Sequence, residues 1–193
     1  MKAMKFMILG ILALMILSVL GGAGAQDDYQ AAMAKAATPG KPHEFLASLC
    51  GTWNVVVKSW MQPGQEPIVS KGRTVSKMVL GGRYTMDETR METGQAPMEG
   101  IGLSGYDNTK GEYFMVWIDN MGTGMILFSG QPDAAGKVMT MTGTFTDPVS
   151  KQVMSMRIVT TYFGADKYTS EFFMLMPDGS EFRTMEMTGE REK

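Results

Sequence analysis

Leu49-Cys50-Gly51-Thr52-Trp53 is the point at which a short helical segment gives way to strands that continue to the C-terminus. Before it, Pro42 suits a first helical position, and Phe45, Leu46 and Leu49 share one helical face. Gly51 ends that helix. After it, short runs separated by Gly, Pro, Asp and Asn punctuate the chain in the manner of an all-β domain. A Gly-x-Trp at such a junction reads as the opening of the first strand of a small closed barrel, an architecture that generally encloses something.

Outward from that stretch, the spacing predicts ten strands. They fall near Thr52–Met61, Ile68–Leu80, Arg83–Glu92, Met98–Tyr106, Glu112–Asp119, Gly124–Ser129, Lys137–Thr146, Gln152–Phe163, Tyr168–Met176 and Glu181–Glu190. The turns are short and chemically apt, among them Gly81-Gly82, Asp133-Ala134-Ala135-Gly136 and Pro177-Asp178-Gly179-Ser180. Such a succession predicts an up-and-down antiparallel meander, and closing it removes the two exposed edges it would otherwise carry. The expected fold is therefore all-β: one antiparallel barrel of about ten strands with a short N-terminal helix, over residues 42–193.

Alternation assigns the faces. Lys71, Arg73 and Lys77 share one parity and should be wet. Met139, Met141 and Phe145 alternate with Thr140, Thr142 and Thr144; Met154, Met156 and Ile158 oppose Ser155 and Arg157. Phe172, Met174 and Met176 oppose Glu171, and Met185 and Met187 oppose Thr184 and Glu186. One face of the C-terminal half is thus lined by methionine, and that face is expected inside.

Residues 1–25 read as a secretory signal: Lys2 and Lys5, then the apolar run Phe6 to Leu20, then Ala23-Gly24-Ala25 as a small-residue cleavage pattern. The apolar run falls short of the roughly 20 residues of a spanning helix, so the expectation is cleavage and no membrane span afterwards. The product would be exported, to the periplasm or the exterior. Residues 26–41 are alanine-rich and read as a flexible linker, partly helical around Tyr29 to Ala37. Of 18 basic and 20 acidic residues, Lys2 and Lys5 leave with the signal. The rest form no basic stripe, which argues against nucleic acid. The single cysteine, Cys50, rules out an internal disulfide; between Leu49 and Gly51 it reads as a small buried hydrophobe rather than a reactive thiol.

Several stretches resemble a known family. Pro42-His43 through Trp53, Gly81-Gly82-Arg83, Gly105-Tyr106-Asp107-Asn108 and, most specifically, Trp117-Ile118-Asp119-Asn120-Met121-Gly122-Thr123-Gly124 are similar to the uncharacterised bacterial family called domain of unknown function 1579. The resemblance runs from about Pro42 to the end. It implies a calycin-type barrel, akin in shape to lipocalins and to haem-binding nitrobindin-like proteins, and it implies no established activity. In lipocalin-like barrels the opening Trp closes one end beneath a basic residue of the last strand. Arg191, on the parity of Met185, Met187 and Gly189, could take that place over Trp53, a cation–π pair of about 0.5–2 kcal/mol. His43 would help close the same end.

Other motifs have plainer readings. Gly100-Ile101-Gly102-Leu103-Ser104-Gly105 spells a dinucleotide fingerprint, but a strand and not a helix follows it, so the glycines read as close strand contacts. The same-face methionine pairs could hold Cu(I), since soft thioethers select it; against this, no His or Cys stands near them, and methionine also serves as a gap-filling core residue. No strand offers a histidine to ligate haem. No catalytic constellation is visible; Asp119 and Arg157 are the only faint interior acid or base candidates. The favoured function is non-covalent binding of a small hydrophobic or amphipathic molecule in the lumen, without cofactor or metal. Ligand carbon would lie against Met115, Met139, Met141, Met154, Met156 and Met174, with Tyr106, Tyr113, Trp117 and Asp119 near one rim for orientation. Two alternatives stay open: that Asp119 and Asn120 serve only to fix the turn before Gly122, and that the barrel is an interaction module with a filled core.

Overall fold

Ten strands follow one another round a closed barrel, each antiparallel to its chain neighbours, with the first closing on the last. The structure is a computed structural model describing residues 23–193 apart from 95 and 177. The expected signal segment lies outside the described residues up to position 22, and positions 23–25 begin a helix. The strands are β1 (Gly51–Ser59), β2 (Ile68–Val79), β3 (Tyr84–Glu92), β4 (Met98–Asp107) and β5 (Glu112–Asp119). After them come β6 (Ile126–Pro132), β7 (Val138–Thr146), β8 (Val153–Tyr162), β9 (Lys167–Leu175) and β10 (Glu181–Arg191). The largest departure from expectation is β6, which starts and ends later than Gly124–Ser129. Its ladder to β7 carries on through Gly130, opposite Met141, to Pro132, opposite Met139. Proline is tolerated there because it is the last residue of the strand.

Among the described residues two helices precede the barrel: α1 (Ala23–Ala37) and α2 (Lys41–Ser48). Helix α1 replaces the expected, only partly helical tether; its alanines carry the highest helix propensity and nothing in it breaks the backbone before Thr38. Helix α2 starts on Gly40 with Pro42 in its first turn and buries His43 and Leu46. The Gly40 N–H donates to His43 Nδ1 at 3.1 Å, which leaves the ring proton of the neutral imidazole on Nε2. Two side chains strap the chain ahead of α2 to the barrel. Asn108 Nδ2 donates to the Thr38 carbonyl at 2.8 Å and the Ala36 carbonyl at 3.1 Å, and Arg83 donates to the Ala37 carbonyl at 2.8 Å. Among the described residues no helix is long and apolar enough to cross a membrane.

Register settles which side chains point inward. Val55 stands between Gly72 of β2 and Gly189 of β10, and Trp53, Val55 and Val57 form a buried cluster with Met91. Following the ladders from there, the methionines that alternation assigned inward within β7 to β10 are inward, whereas Met176 lies past the end of β9 and is exposed. A register shift between Arg183 and Met185 resets β10 so that Arg183 faces out, over the Trp60 ring at 4.5 Å and 2.8 Å from Glu171. On the outer wall, directly opposed pairs such as Lys58–Glu186, Arg90–Glu99 and Lys167–Glu190 bridge neighbouring strands. Exposed as they are, each contributes at most about 1 kcal/mol.

Close approach requires glycine at several wall positions, Gly100 and Gly189 among them. Trp117 lies across the space a side chain at Gly100 would need, and the Tyr168 ring lies across that of Gly189. The fingerprint-like glycines are thus wall positions on β4. At the barrel end remote from α2 the loops expose Met61, Met121 and Met125. Replacing Gly189→Ala should push Tyr168 off its seat on Trp53 and destabilise the fold by about 1–3 kcal/mol. The check is the urea midpoint with tyrosine near-UV dichroism; an unchanged midpoint would mean the wall yields freely there.

Candidate functional site

Beneath α2 the inward side chains do not fill the lumen, and a cavity of about 190 Å³ remains. Its wall has two characters. Phe45, Leu46 and Leu49 roof it, and Met115, Met139, Met141, Ile158, Phe172 and Met187 supply apolar wall. Facing them is a polar belt: Thr74 and Ser76 from β2, Thr85 and Asp87 from β3, Ser104 from β4, Thr160 from β8 and Ser170 from β9, with Tyr113, Tyr162 and Tyr168 between. Part of the belt is internally bonded, Thr160 to Ser170 at 2.8 Å and Thr74 to Thr89 at 2.9 Å.

Asp87 is the one ionisable carboxyl in that lining. Register sets it between Ser76 and Gly102. Because residue 102 has no side chain, the carboxyl keeps open space beside it; a Cβ there would sit 3.4 Å from Oδ2. Burial raises its pKa, opposed only by a hydrogen bond from Ser76. Among the described residues no Lys or Arg forms an ion pair with it. Burial likewise drives the phenols of Tyr162 and Tyr168 well above their ordinary value, so both stay protonated donors. Burial also raises the Cys50 thiol, keeping it from thiolate.

The roof is held by Arg191. Its guanidinium lies 4.3 Å from the Trp53 ring centre and donates to the carbonyls of Cys50 at 2.5 Å, Ser48 at 2.8 Å and Ala165 at 2.9 Å. Trp53 Nε1 donates to the Leu49 carbonyl at 2.9 Å. The C-terminal end of α2, where carbonyls lack helical partners, is therefore met by a cation and an indole. His43 packs edge-on against Tyr106, 6.1 Å between ring centres.

Of the residues expected to meet a ligand, Tyr113, Met115, Met139 and Met141 line the cavity. The others do not. Tyr106 stands behind Tyr113, ring centres 4.8 Å apart. Trp117 and Asp119 are inward but farther down the barrel: Trp117 Nε1 donates to Asp119 Oδ2 at 2.7 Å, and Asp119 Oδ1 accepts the Met121 N–H at 2.9 Å. Asn120 ties the Glu99 N–H and the Pro97 carbonyl. Asp119 and Asn120 thus fix the turn, and the interior acid is Asp87. Met154, Met156 and Met174 are inward by register, Met156 directly opposite Met174, yet lie outside the lining. The reason is axial depth: each inward step along a strand covers about 6.6 Å, so one parity spans several levels of the barrel. Arg157 faces out, paired with Glu181 and 4.4 Å over Phe173. Among the described residues no group of three or more His, Cys, Asp or Glu is placed to hold a metal.

With fold and cavity in view, the comparisons with known proteins can be placed. Residues 38–191 match the model of a family described as "Protein of unknown function (DUF1579)". The chain belongs to the DUF1579 family. No curated protein matches the sequence. Among solved structures, this DUF1579 barrel is similar to Rv2717c from M. tuberculosis, with a TM-score of 0.56 at 13% identity over 79% of this chain and 99% of that one. Two redesigned β barrels also match: one with a TM-score of 0.40 at 15% identity over 77% and 95% of the chains, the other mFAP1 bound to DFHBI, 0.39 at 14% over 76% and 97%. At these identities the likeness concerns the fold alone.

Two outcomes follow for the DUF1579 barrel. Arg191→Met keeps bulk but removes the cation and its three carbonyl contacts, which should cost about 2–4 kcal/mol. Hydrogen exchange should show the Lys41–Ser48 amides losing protection ahead of the strands; uniform loss would mean that α2 does not depend on the arginine. For Asp87 the sign is the reverse of a salt-bridged carboxylate. Its folded-state pKa is raised, so stability falls as pH climbs from the ordinary carboxylate range through that raised value, then levels off. Asp87→Asn should abolish this slope and be more stable than the parent at neutral pH, with the two converging in acid. Urea midpoints across about pH 3–8 test it; a less stable Asn variant at neutral pH would mark Asp87 as a structural acceptor.

Proposed function

We propose that this DUF1579 barrel binds a small amphipathic molecule, non-covalently, in the cavity beneath α2. The observation that carries the reading is a lumen left hollow at about 190 Å³ between an apolar wall and a hydroxyl-rich one. An apolar cavity of about 150 Å³ accepts benzene, and pockets for drug-sized ligands begin near 300 Å³. The guest is accordingly of the size of one substituted ring. Apolar burial at about 25 cal/mol per Å² against the methionine side supplies affinity, and the polar belt orients. An interaction module would have no use for a hollow under the helix while the Trp53–Val57–Met91 level is packed. A catalytic role would need a second group titrating against Asp87, and burial drives the tyrosines opposite still farther above the neutral range. The signal-like residues 1–25 support a site of action outside the cytoplasm.

Native mass spectrometry of protein recovered from its own host should show a co-purifying small molecule. Independently, toluene at millimolar concentration should shift the methyl resonances of Met115, Met139 and Met141. Ser104→Leu, which fills the cavity from β4, should abolish those shifts while leaving the fold intact. No co-purified molecule together with no methyl shifts, or shifts that survive the filled variant, would end the proposal.

A further inference from the structure

The charge pattern inside the barrel carries the binding reading further, to the chemistry of the guest. Inward charged side chains are few, and two of them are satisfied from within the chain. Asp119 takes the Trp117 indole N–H and the Met121 amide; Arg191 is spent on backbone carbonyls and the Trp53 ring. Among the described residues Asp87 has no cation beside it, and Ser76, opposite it in the β2–β3 ladder, is the side chain that eases its burial. On the outer wall the same chain sets a cation against carboxylate after carboxylate, at Glu88, Glu99, Glu181, Glu186 and Glu190. It sets none against the carboxylate that is hardest to desolvate. A buried carboxylate without a cation or several N–H donors is costly, and it is ordinarily relieved by partners.

We propose that the missing partner is the ligand: the cavity takes a small organic cation, one protonated amine on an apolar body about the size of a single ring. This rests on the binding reading above. The ammonium has three donors to place. Asp87 accepts one as a charge-assisted bond, and the hydroxyl oxygens of Thr85 and Ser104 stand on the same wall for the others. The apolar body lies toward Met115, Met139 and Met141. Aromatic rings of Phe45, Tyr113 and Phe172 surround the space and favour a cation over a neutral guest. The opposite charge is excluded by the lining itself: among the described residues no Lys, Arg or His borders the cavity, so a carboxylate or phosphate guest would be buried beside Asp87 without a counter-ion.

The pairing also sets a pH dependence. The titratable groups that face Asp87 are Cys50 below α2 and Tyr162 and Tyr168 on β8 and β9, with Tyr113 on β5 along the same lining. Burial moves all four upward, so they are uncharged through the neutral range. His43, in the first turn of α2, packs against Tyr106 outside the cavity lining, its Nδ1 accepting the Gly40 N–H. Asp87 is then the group whose charge governs amine affinity, which should fall as acid protonates it.

Benzylamine and benzyl alcohol provide a near-isosteric pair. Titrated into the full chain freed of residues 1–25 and followed by the same methionine methyl resonances, benzylamine should bind at least roughly tenfold tighter than benzyl alcohol near pH 7.5. Asp87→Asn should erase that preference, changing amine affinity far more than alcohol affinity. If the variant does not fold, the parent alone decides: amine affinity should drop roughly tenfold or more toward acid while alcohol affinity stays level. Phenylacetate should not bind. Alcohol binding as tight as amine binding, an unaltered preference in the Asn variant, or a level pH profile for the amine overturns the proposal and leaves the cavity reading standing. Phenylacetate binding as tight as the amine likewise overturns it, and failure of both benzylamine and benzyl alcohol to bind removes the cavity reading as well.

Discussion

Arg191 is the contact on which the rest of the molecule depends. Closing a ten-stranded meander joins its first and last strands across nearly the whole barrel sequence, and the β1–β10 ladder must hold against the loss of chain freedom that closure entails. Arg191 stands at that seam. Its guanidinium covers the Trp53 ring of β1 and gathers carbonyls from the last turn of α2 and from the β8–β9 loop. One side chain thereby joins the first strand, the last strand and the helix. Since α2 carries the roof residues Phe45 and Leu46, the hollow beneath it exists only while that junction holds.

The barrel is filled unevenly. At the level of Val55 and Val57, glycines on both neighbouring strands admit Met91 and Tyr168 across the wall and the lumen is packed. One level nearer α2 the inward residues on β2, β3, β4, β8 and β9 become Ser, Thr and Asp, too small to meet in the middle. Shortening the side chains on one flank opens the space, and the same substitution of carbon by hydroxyl makes that flank polar. Size and polarity of the cavity have a single cause.

Much of this could be read from residues in order. The turns and period-two runs give the strands, the count gives closure, and the family resemblance over Pro42 onward agrees with the match at 38–191. The pairing of Trp53 with Arg191 came from the lipocalin-like resemblance, which implied the arrangement, and from parity, which picked out Arg191. What escaped was Asp87, and the reason is local. Tyr84-Thr85-Met86-Asp87-Glu88-Thr89-Arg90 is polar on both faces, so hydrophobic alternation assigns it no inside. Its orientation is inherited from β2, where the wet Lys71, Arg73 and Lys77 force Thr74 and Ser76 inward, and Ser76 opposes Asp87. Height along the barrel was equally invisible. Parity separates in from out and says nothing of level, which is why Trp117, Met154, Met156 and Met174 were grouped with residues of a different storey.

Methionine leads two lives in this chain. Met91 and Met139 keep 3% and 4% of their surface, whereas Met61, Met121 and Met125 keep 74%, 77% and 68% on the loops remote from α2. Peroxide therefore meets the loop thioethers first. Sulfoxide formed there adds a polar oxygen to side chains already in water and leaves every ladder intact, while the same oxygen on Met139 would intrude on the hollow. Difference in exposure alone thus separates the sulfurs an oxidant reaches from those the wall shields.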